Sequence, residues 1–229
     1  MTHLRKGEKI AFLVLICTLF WYCREKPAAE KEILKETIVE ITNPKVIVDL
    51  CASAGISITD TTDIDPFLRF KMIDNSGVIQ DINIDEAARL FKRSKSGKKV
   101  SEIPLMEFKE ADKTLMMFNS RGYGGPIWVT LILNNNNSQF ENVQFEHLAE
   151  SEGYAAGFTM SSFEDQFTGV EIKAGDTNFG IEQGDKLVLK GSYTVDGISG
   201  ATQTSMAGIE MMNMGISRVK NYAFPKKVK

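Results

Sequence analysis

Histidine and cysteine are almost missing from this chain. Its 229 residues include only two histidines, His3 and His147, and three cysteines. Cys17 and Cys23 lie in or at the end of an apolar stretch, so Cys51 is the only thiol in the body of the chain. No C-x-x-C pair and no Cys/His spacing suited to zinc occurs. A Ser-His or Cys-His hydrolase would have to use His147, and no nucleophile-elbow pattern accompanies it. His147 therefore reads as a strand residue at the surface. An excess of one charge is missing too: 27 Lys and Arg stand against 30 Asp and Glu, a net charge of −3. Nothing in that balance marks a nucleic-acid surface. The small basic cluster from Lys92 to Lys99 reads as a solvated loop. Internal repeats are absent as well.

What is present is an ordinary globular composition, 43% hydrophobic and 25% charged, enough to bury a sizeable core. Ahead of it, Arg5, Lys6 and Lys9 precede an apolar run from Ile10 to Cys23. The run is about 14 residues, short of the roughly 20 that span a bilayer unaided. A cleaved signal peptide fits the basic start, but no small-x-small cleavage site follows. A lipoprotein ending at Cys23 meets bulky Phe20, Trp21 and Tyr22 where small residues are usual. A short membrane anchor suits Trp21 and Tyr22 as interfacial aromatics, with the basic N-terminus inside and the domain outside. The expected organisation is an anchor or signal segment over 1–23, a stalk or linker helix over 24–45 carrying Ile33, Leu34, Ile38 and Ile41 on one face, and a domain over 46–229.

Within that domain helical and strand periods are mixed. F-L-R-F-K-M-I (67–73) reads as a strand, N-S-G as a turn, D-E-A-A-R-L-F-K-R (85–93) as a short helix, and 104–119 as strands again. Gly-Pro punctuation opens a β-prone run at 126–133, Asn134 to Asn137 turn the chain, and Q-F-E-N-V-Q-F-E (139–146) alternates as its partner strand. K-L-V-L-K (186–190) adds another short strand. Beyond Thr202, residues Met206, Ile209, Met212, Ile216 and Val219 recur at helical spacing over about five turns. Their methionines read as core filler. The fold class is α+β, a mixed or antiparallel sheet with packed helices behind the N-terminal anchor.

Two stretches carry chemistry. R-G-Y-G-G-P (121–126) is neither a Walker sequence nor G-x-G-x-x-G, and reads as a tight turn or a ligand-facing loop. D-G-I-S-G-A-T-Q-T-S (196–205) places Ser199, Thr202, Thr204 and Ser205 at a helix start, where hydroxyls can cap backbone N–H groups. The positive end of the helix dipole favours an anion there, and phosphate is the natural one. No general base lies nearby in sequence, so any bond from a hydroxyl to that phosphate needs another enzyme.

Asp196 to Thr202 resembles the D-x-x-S/T-G-A-T motif on which flavin transferases attach FMN. Gly122 to Ile127 is similar to the glycine-rich segment of the same FMN-binding domain, found in the C subunit of the sodium-translocating NADH:quinone oxidoreductase and in the G subunit of the RNF complex. F-E-D-Q-F-T-G (163–169) lies between the two in the family's order. The resemblance implies an FMN esterified through its phosphate to Thr202, with Asp196, Ser199, Gly200, Ala201, Thr204 and Ser205 around the attachment point. It also implies that Gly124, Gly125, Pro126 and Ile127, with Glu150, Ser151 and Gly153, line the flavin. Where the family carries E-T-P-G-L-G this chain has E-S-E-G-Y-A (150–155), which alters the ring's surroundings. The implied role is electron relay as one redox subunit of a respiratory ion-translocating complex, not an enzyme on its own. Implied partners are the other subunits, a flavin transferase and the membrane, with the FMN domain on the periplasmic face of a bacterial inner membrane. One candidate span without intramembrane charges cannot itself move ions. The competing reading, prompted by the altered 150–155 stretch, is a membrane-tethered structural or interaction protein that keeps the scaffold without flavin.

Overall fold

The computed structural model describes residues 42–96, 98, 101–149, 156–173 and 177–224. The expected anchor and all but the last residues of the expected stalk lie outside that range. Among the described residues no helix is long and apolar enough to cross a membrane.

The chain opens with helix α1 (Lys45–Ser53) and strand β1 (Leu68–Ile73). A turn built on Asp74, whose carboxylate accepts from the backbone N–H groups of Ser76 and Val78, leads into β2 (Ile79–Ile82). Helix α2 (Ile84–Lys95) starts where Asn83 Oδ1 accepts the Glu86 N–H at 2.9 Å. Asp85 and Glu86 lie at its positive end, and Lys92, Arg93 and Lys95 at its negative end, as the helix dipole favours. Strands β3 (Ile103–Phe108), β4 (Lys113–Arg121), β5 (Pro126–Asn134) and β6 (Gln139–His147) follow. All six strands form one antiparallel sheet in the order β2-β1-β3-β4-β5-β6.

Both faces of this sheet are covered, which explains why β5 reads as a nearly continuous apolar run. Ile127, Val129, Leu131 and Leu133 point to one core, while Trp128 and Ile132 point to the other. The second core is closed by α1 and α2, with Cys51 and Phe91 at 0% exposure. The first is closed by the long helix α4 (Thr202–Ala223). Of the five residues expected on its apolar face, Ile209, Met212, Ile216 and Val219 are fully buried and Met206 is half-buried. Two glycines let α4 approach closely: a Cβ on Gly215 would stand 2.2 Å from the Phe118 ring, and one on Gly208 would stand 2.7 Å from Phe158.

Between β6 and α4 the chain makes a 3-10 turn (Ala156–Thr159), the short helix α3 (Ser161–Glu164), and a second sheet. That sheet has the order β8-β7-β9, with β7 (Phe179–Gln183), β8 (Lys186–Leu189) and β9 (Tyr193–Asp196), and β9 runs parallel to β7. Asn213 of α4 holds β7 from the side, accepting the Phe179 N–H at 2.7 Å and donating to its carbonyl at 2.9 Å. The fold is therefore α+β with one antiparallel and one mixed sheet, as the periodicities imply.

Candidate flavin site at the start of helix α4

The D-G-I-S-G-A-T stretch is the link from β9 into α4. Gly197 N–H donates to the Glu182 carbonyl at 2.7 Å and extends the sheet by one bond. Gly200 then takes φ +78°, a left-handed turn that suits glycine. The N-cap is Ala201, and α4 begins at Thr202. The expectation that a hydroxyl caps the helix is not met: no side-chain cap bond is made at Ala201. Ser205 Oγ turns the other way, accepting the Ile198 N–H at 3.0 Å and donating to the Ala201 carbonyl at 3.0 Å. It locks the loop from beneath, at 0% exposure.

The four hydroxyls are therefore unequal. Thr204 and Ser205 are buried, at 4% and 0%, Ser199 and Gly200 are exposed, and Thr202 is half-buried in the first turn. That turn contains no acidic residue. The positive end of this 22-residue helix, with Thr202 at its first position, is the end that favours an anion. Asp196 is exposed, and Ala201 is buried under the loop.

The glycine segment tightens the β4–β5 hairpin. Gly122 N–H donates to the Gly125 carbonyl at 2.7 Å, Arg121 pairs with Pro126, and Tyr123 projects at 77% exposure. Pro126 is half-buried at the mouth of β5, and Ile127 is fully buried under α4. This hairpin and the start of α4 lie toward the same end of the main sheet. Tyr222, near the end of α4, hydrogen-bonds Thr114 near the start of β4 at 2.7 Å, and Gly215 packs over Phe118 farther along that strand. Continuing to Thr202 carries α4 toward the β4–β5 turn. A Cβ on Gly125 would stand 3.1 Å from Ala149, whereas one on Gly157 would stand 2.5 Å from Ile198 of the loop. The predicted flavin-lining residues Glu150, Ser151 and Gly153 lie outside the described residues. Ala149 thus lies against the hairpin, and Gly157 lies against the α4 loop.

The F-E-D-Q-F-T-G segment, read from sequence only by its order, proves to be the stitching. Phe163 and Phe167 enter a ring cluster with Phe145, at centroid separations of 5.2 Å to each. Glu164 Oε1 accepts the Phe145 N–H at 2.7 Å, occupying a donor on the edge strand β6. Burial pushes the Glu164 carboxyl above the ordinary carboxylate range, partly opposed by that bond. Gln166 reaches β9, where its Oε1 accepts the Asp196 N–H at 2.6 Å and its Nε2 donates to the Asp196 carbonyl at 3.3 Å. Gln183 Nε2 donates to the Ile198 carbonyl at 3.0 Å. Neither glutamine stands out in sequence, because an amide that holds a loop leaves no spacing signature.

A cleft of about 610 Å³ opens between the end of β4 and α4, with Phe118, Asn119, Arg121, Met211, Met214 and Arg218 among its walls. None of the described residues expected at the flavin site lines it. At 100° per residue, Met211, Met214 and Arg218 lie roughly 120–180° around α4 from Thr202, so the cleft occupies the opposite flank. The hydrolase reading also finds no partner: the Cys51 thiol faces Met106 Sδ at 3.8 Å in the other core, and burial pushes it up to about 11. His147 closes β6, paired with Ile127.

Two crystal structures share the fold. The C subunit of the Na(+)-translocating NADH-quinone reductase from Parabacteroides distasonis aligns with TM-score 0.60 and 20% identity over 81% of this chain and 94% of that one. NqrC of Shewanella oneidensis aligns with TM-score 0.58 and 13% identity over 80% and 99%. No curated protein sequence matches the chain. The family model of the FMN-binding domain matches residues 122–217, a span that opens on the β4–β5 hairpin and runs through the α4 loop into α4. Residues 122–217 are thus an FMN-binding domain, set in the fold that these two redox subunits share.

Proposed function

We propose that this chain is a membrane-anchored electron-carrier subunit whose FMN is esterified through its phosphate to Thr202 Oγ1. The observation that carries the reading is the loop entering α4: it offers Thr202 at the first position of a long helix and buries Thr204 and Ser205. A phosphate esterified there lies at the positive end of a helix whose N-cap residue, Ala201, makes no side-chain cap bond. At an exposed site that placement contributes about 0.3–1 kcal/mol. Asp196, Ser199, Gly200 and Ala201 shape the attachment point, and the hairpin residues Gly124, Gly125, Pro126 and Ile127 with Glu150, Ser151 and Gly153 flank the ring. A bound FMN supplies one- and two-electron chemistry, and the chain holds and orients it. Covalent attachment suits a domain on the periplasmic face of the inner membrane, where a dissociable flavin would be diluted away.

Complex membership is supported by exposed apolar side chains near the hairpin and the loop: Tyr123, Leu148 just beyond β6, and Met160 after the 3-10 turn. Such residues suit docking to the other subunits of a redox complex. The Ile10–Cys23 run is the anchor, and any ion translocation belongs to the partners. To test the assignment, the full chain is produced with an active flavin transferase, denatured and weighed. The mass of one esterified FMN on the peptide containing Thr202, absent from Thr202→Ala, is expected. An unmodified, colourless chain alongside a transferase that labels a control substrate would refute it and favour a scaffold without flavin.

A further inference from the structure

We propose that Gln166 and Gln183 are positioning residues for flavin attachment, acting as two amide clamps that hold the acceptor loop in the shape the transferase reads. This rests on Thr202 being the acceptor. The clamps come from outside the motif, one from the segment after α3 and one from the end of β7, and they grip consecutive parts of the loop. Gln166 closes a two-way bond on the Asp196 backbone, at 2.6 Å and 3.3 Å. Gln183 takes the Ile198 carbonyl at 3.0 Å, while Ser205 takes the Ile198 N–H. With Gly197 N–H on the Glu182 carbonyl, the backbone from Asp196 to Ile198 is held at both donors and acceptors. Past Ile198, Ser199 and Gly200 emerge exposed, and the turn closes again at Ala201, whose N–H donates to the same Ile198 carbonyl at 3.0 Å just before Thr202.

Gln166 is itself anchored. Its Nε2 also donates to the Ser162 carbonyl at 3.2 Å, and its neighbour Phe167 is fully buried against Phe179 of β7, with ring centroids 4.8 Å apart. The clamp therefore refers the loop to the aromatic core and not to solvent. In the transfer step the Thr202 Oγ1–phosphorus bond forms and a phosphoanhydride bond of a flavin dinucleotide donor breaks. The hydroxyl proton passes to a base of the transferase, and the nucleoside monophosphate leaves. The first turn of α4 holds no acidic residue, so this chain's part is presentation: a hydroxyl in line with the breaking bond. A loop that samples other shapes loses that alignment without losing affinity for the transferase, which predicts a fall in kcat and not a rise in KM.

The test uses the full-length apo chain as the substrate of the purified transferase, with flavin dinucleotide as donor. For Gln166→Ala and for Gln183→Met we expect kcat to fall by about tenfold with KM within about twofold, the loss that about 1.4 kcal/mol of misalignment produces. Gln166→Glu keeps the acceptor for the Asp196 N–H and gives up both donors, and should fall in between. Amide exchange at Asp196 and Ile198 should accelerate in step with the lost kcat. Thermal unfolding of each apo variant separates positioning from misfolding, and if Gln166→Ala melts early the Gln166→Glu comparison decides. Wild-type kcat in either folded clamp variant would overturn the inference. A wild-type chain that takes no flavin on Thr202 would instead overturn the function proposed above.

Discussion

Substitution of Gly215 by alanine separates helix propensity from packing, because the two act in opposite directions. Gly215 lies in the middle of α4, where alanine is favoured over glycine by about 1 kcal/mol. On propensity alone the variant is more stable. The packing says otherwise: an added Cβ would stand 2.2 Å from Phe118 Cδ2 and 2.4 Å from both Cε2 and Cγ. Ordinary contact begins at 3.4 Å, so the ring and helix must separate by 3.4 − 2.2 = 1.2 Å. Phe118 is 3% exposed and lies inside the core, so it has little space to retreat into. Overpacking of this kind costs about 1–3 kcal/mol, and a clash with a ring on a central strand belongs at the upper end. After the propensity gain, a net loss of about 2 kcal/mol remains, which for a domain of this size lowers Tm by roughly 4–8 °C. Urea unfolding followed by far-UV circular dichroism should show a lower midpoint with an unchanged m-value, and exposed Met214→Ala serves as the control for mutation in the same turn. A Gly215→Ala protein at least as stable as wild type would refute the close-packing argument.

Other expectations are as direct. Ser205→Ala removes the acceptor for the Ile198 N–H from a fully buried site and should cost about 1–3 kcal/mol, read by the same urea titration. Asn213→Asp keeps the acceptor for the Phe179 N–H but turns the donor to its carbonyl into a second acceptor oxygen. It should destabilise by about as much as loss of a buried hydrogen bond, and it should raise amide exchange in β7 before β5. Glu164 gives a pH signature. Its folded value is raised from 4.5 by burial, so the native state binds more proton than the unfolded state between 4.5 and the raised value. Stability contributed by this group is present in full below 4.5 and falls as pH rises through that window. In Glu164→Gln that part of the pH dependence should disappear, and identical slopes for the two proteins in thermal melts from pH 4 to 7 would contradict it.

How far the sequence carries the fold depends on whether a period survives burial. The α4 stripe is legible because one face of a long helix meets one core. The β5–β6 pair is legible because Asn134 to Asn137 turn the chain between an apolar run and a clean alternation. Helix α1 is not legible: K-V-I-V is rich in β-branched residues, and it becomes helical because Ile47, Leu50 and Cys51 cover the second core. The start of α4 is legible, but local propensity assigns its hydroxyls to capping, whereas Ser205 bonds back across the turn and Ala201 stands at the cap. Propensity cannot distinguish a serine that caps a helix from one that braces the loop before it.

The site divides along the same line. The residues that define the attachment loop are contiguous, and their order is itself a signal, so resemblance singles out Thr202 from four hydroxyls. Burial narrows the four on separate grounds, since Thr204 and Ser205 are enclosed while Ser199 is exposed and Thr202 half-buried, and of these two Thr202 lies within the first turn of α4. The residues that hold this loop are scattered over the segment after α3, β7 and α4, brought together by the parallel pairing of β9 with β7 and the ring cluster beneath. A glutamine at 166 and another at 183 have no meaning until that pairing exists. If attachment depends on them, a chain that kept D-G-I-S-G-A-T but lost both amides would retain the motif and take up flavin slowly. Motif order alone would then overestimate flavin loading, and amide exchange at Asp196 and Ile198 would report it correctly.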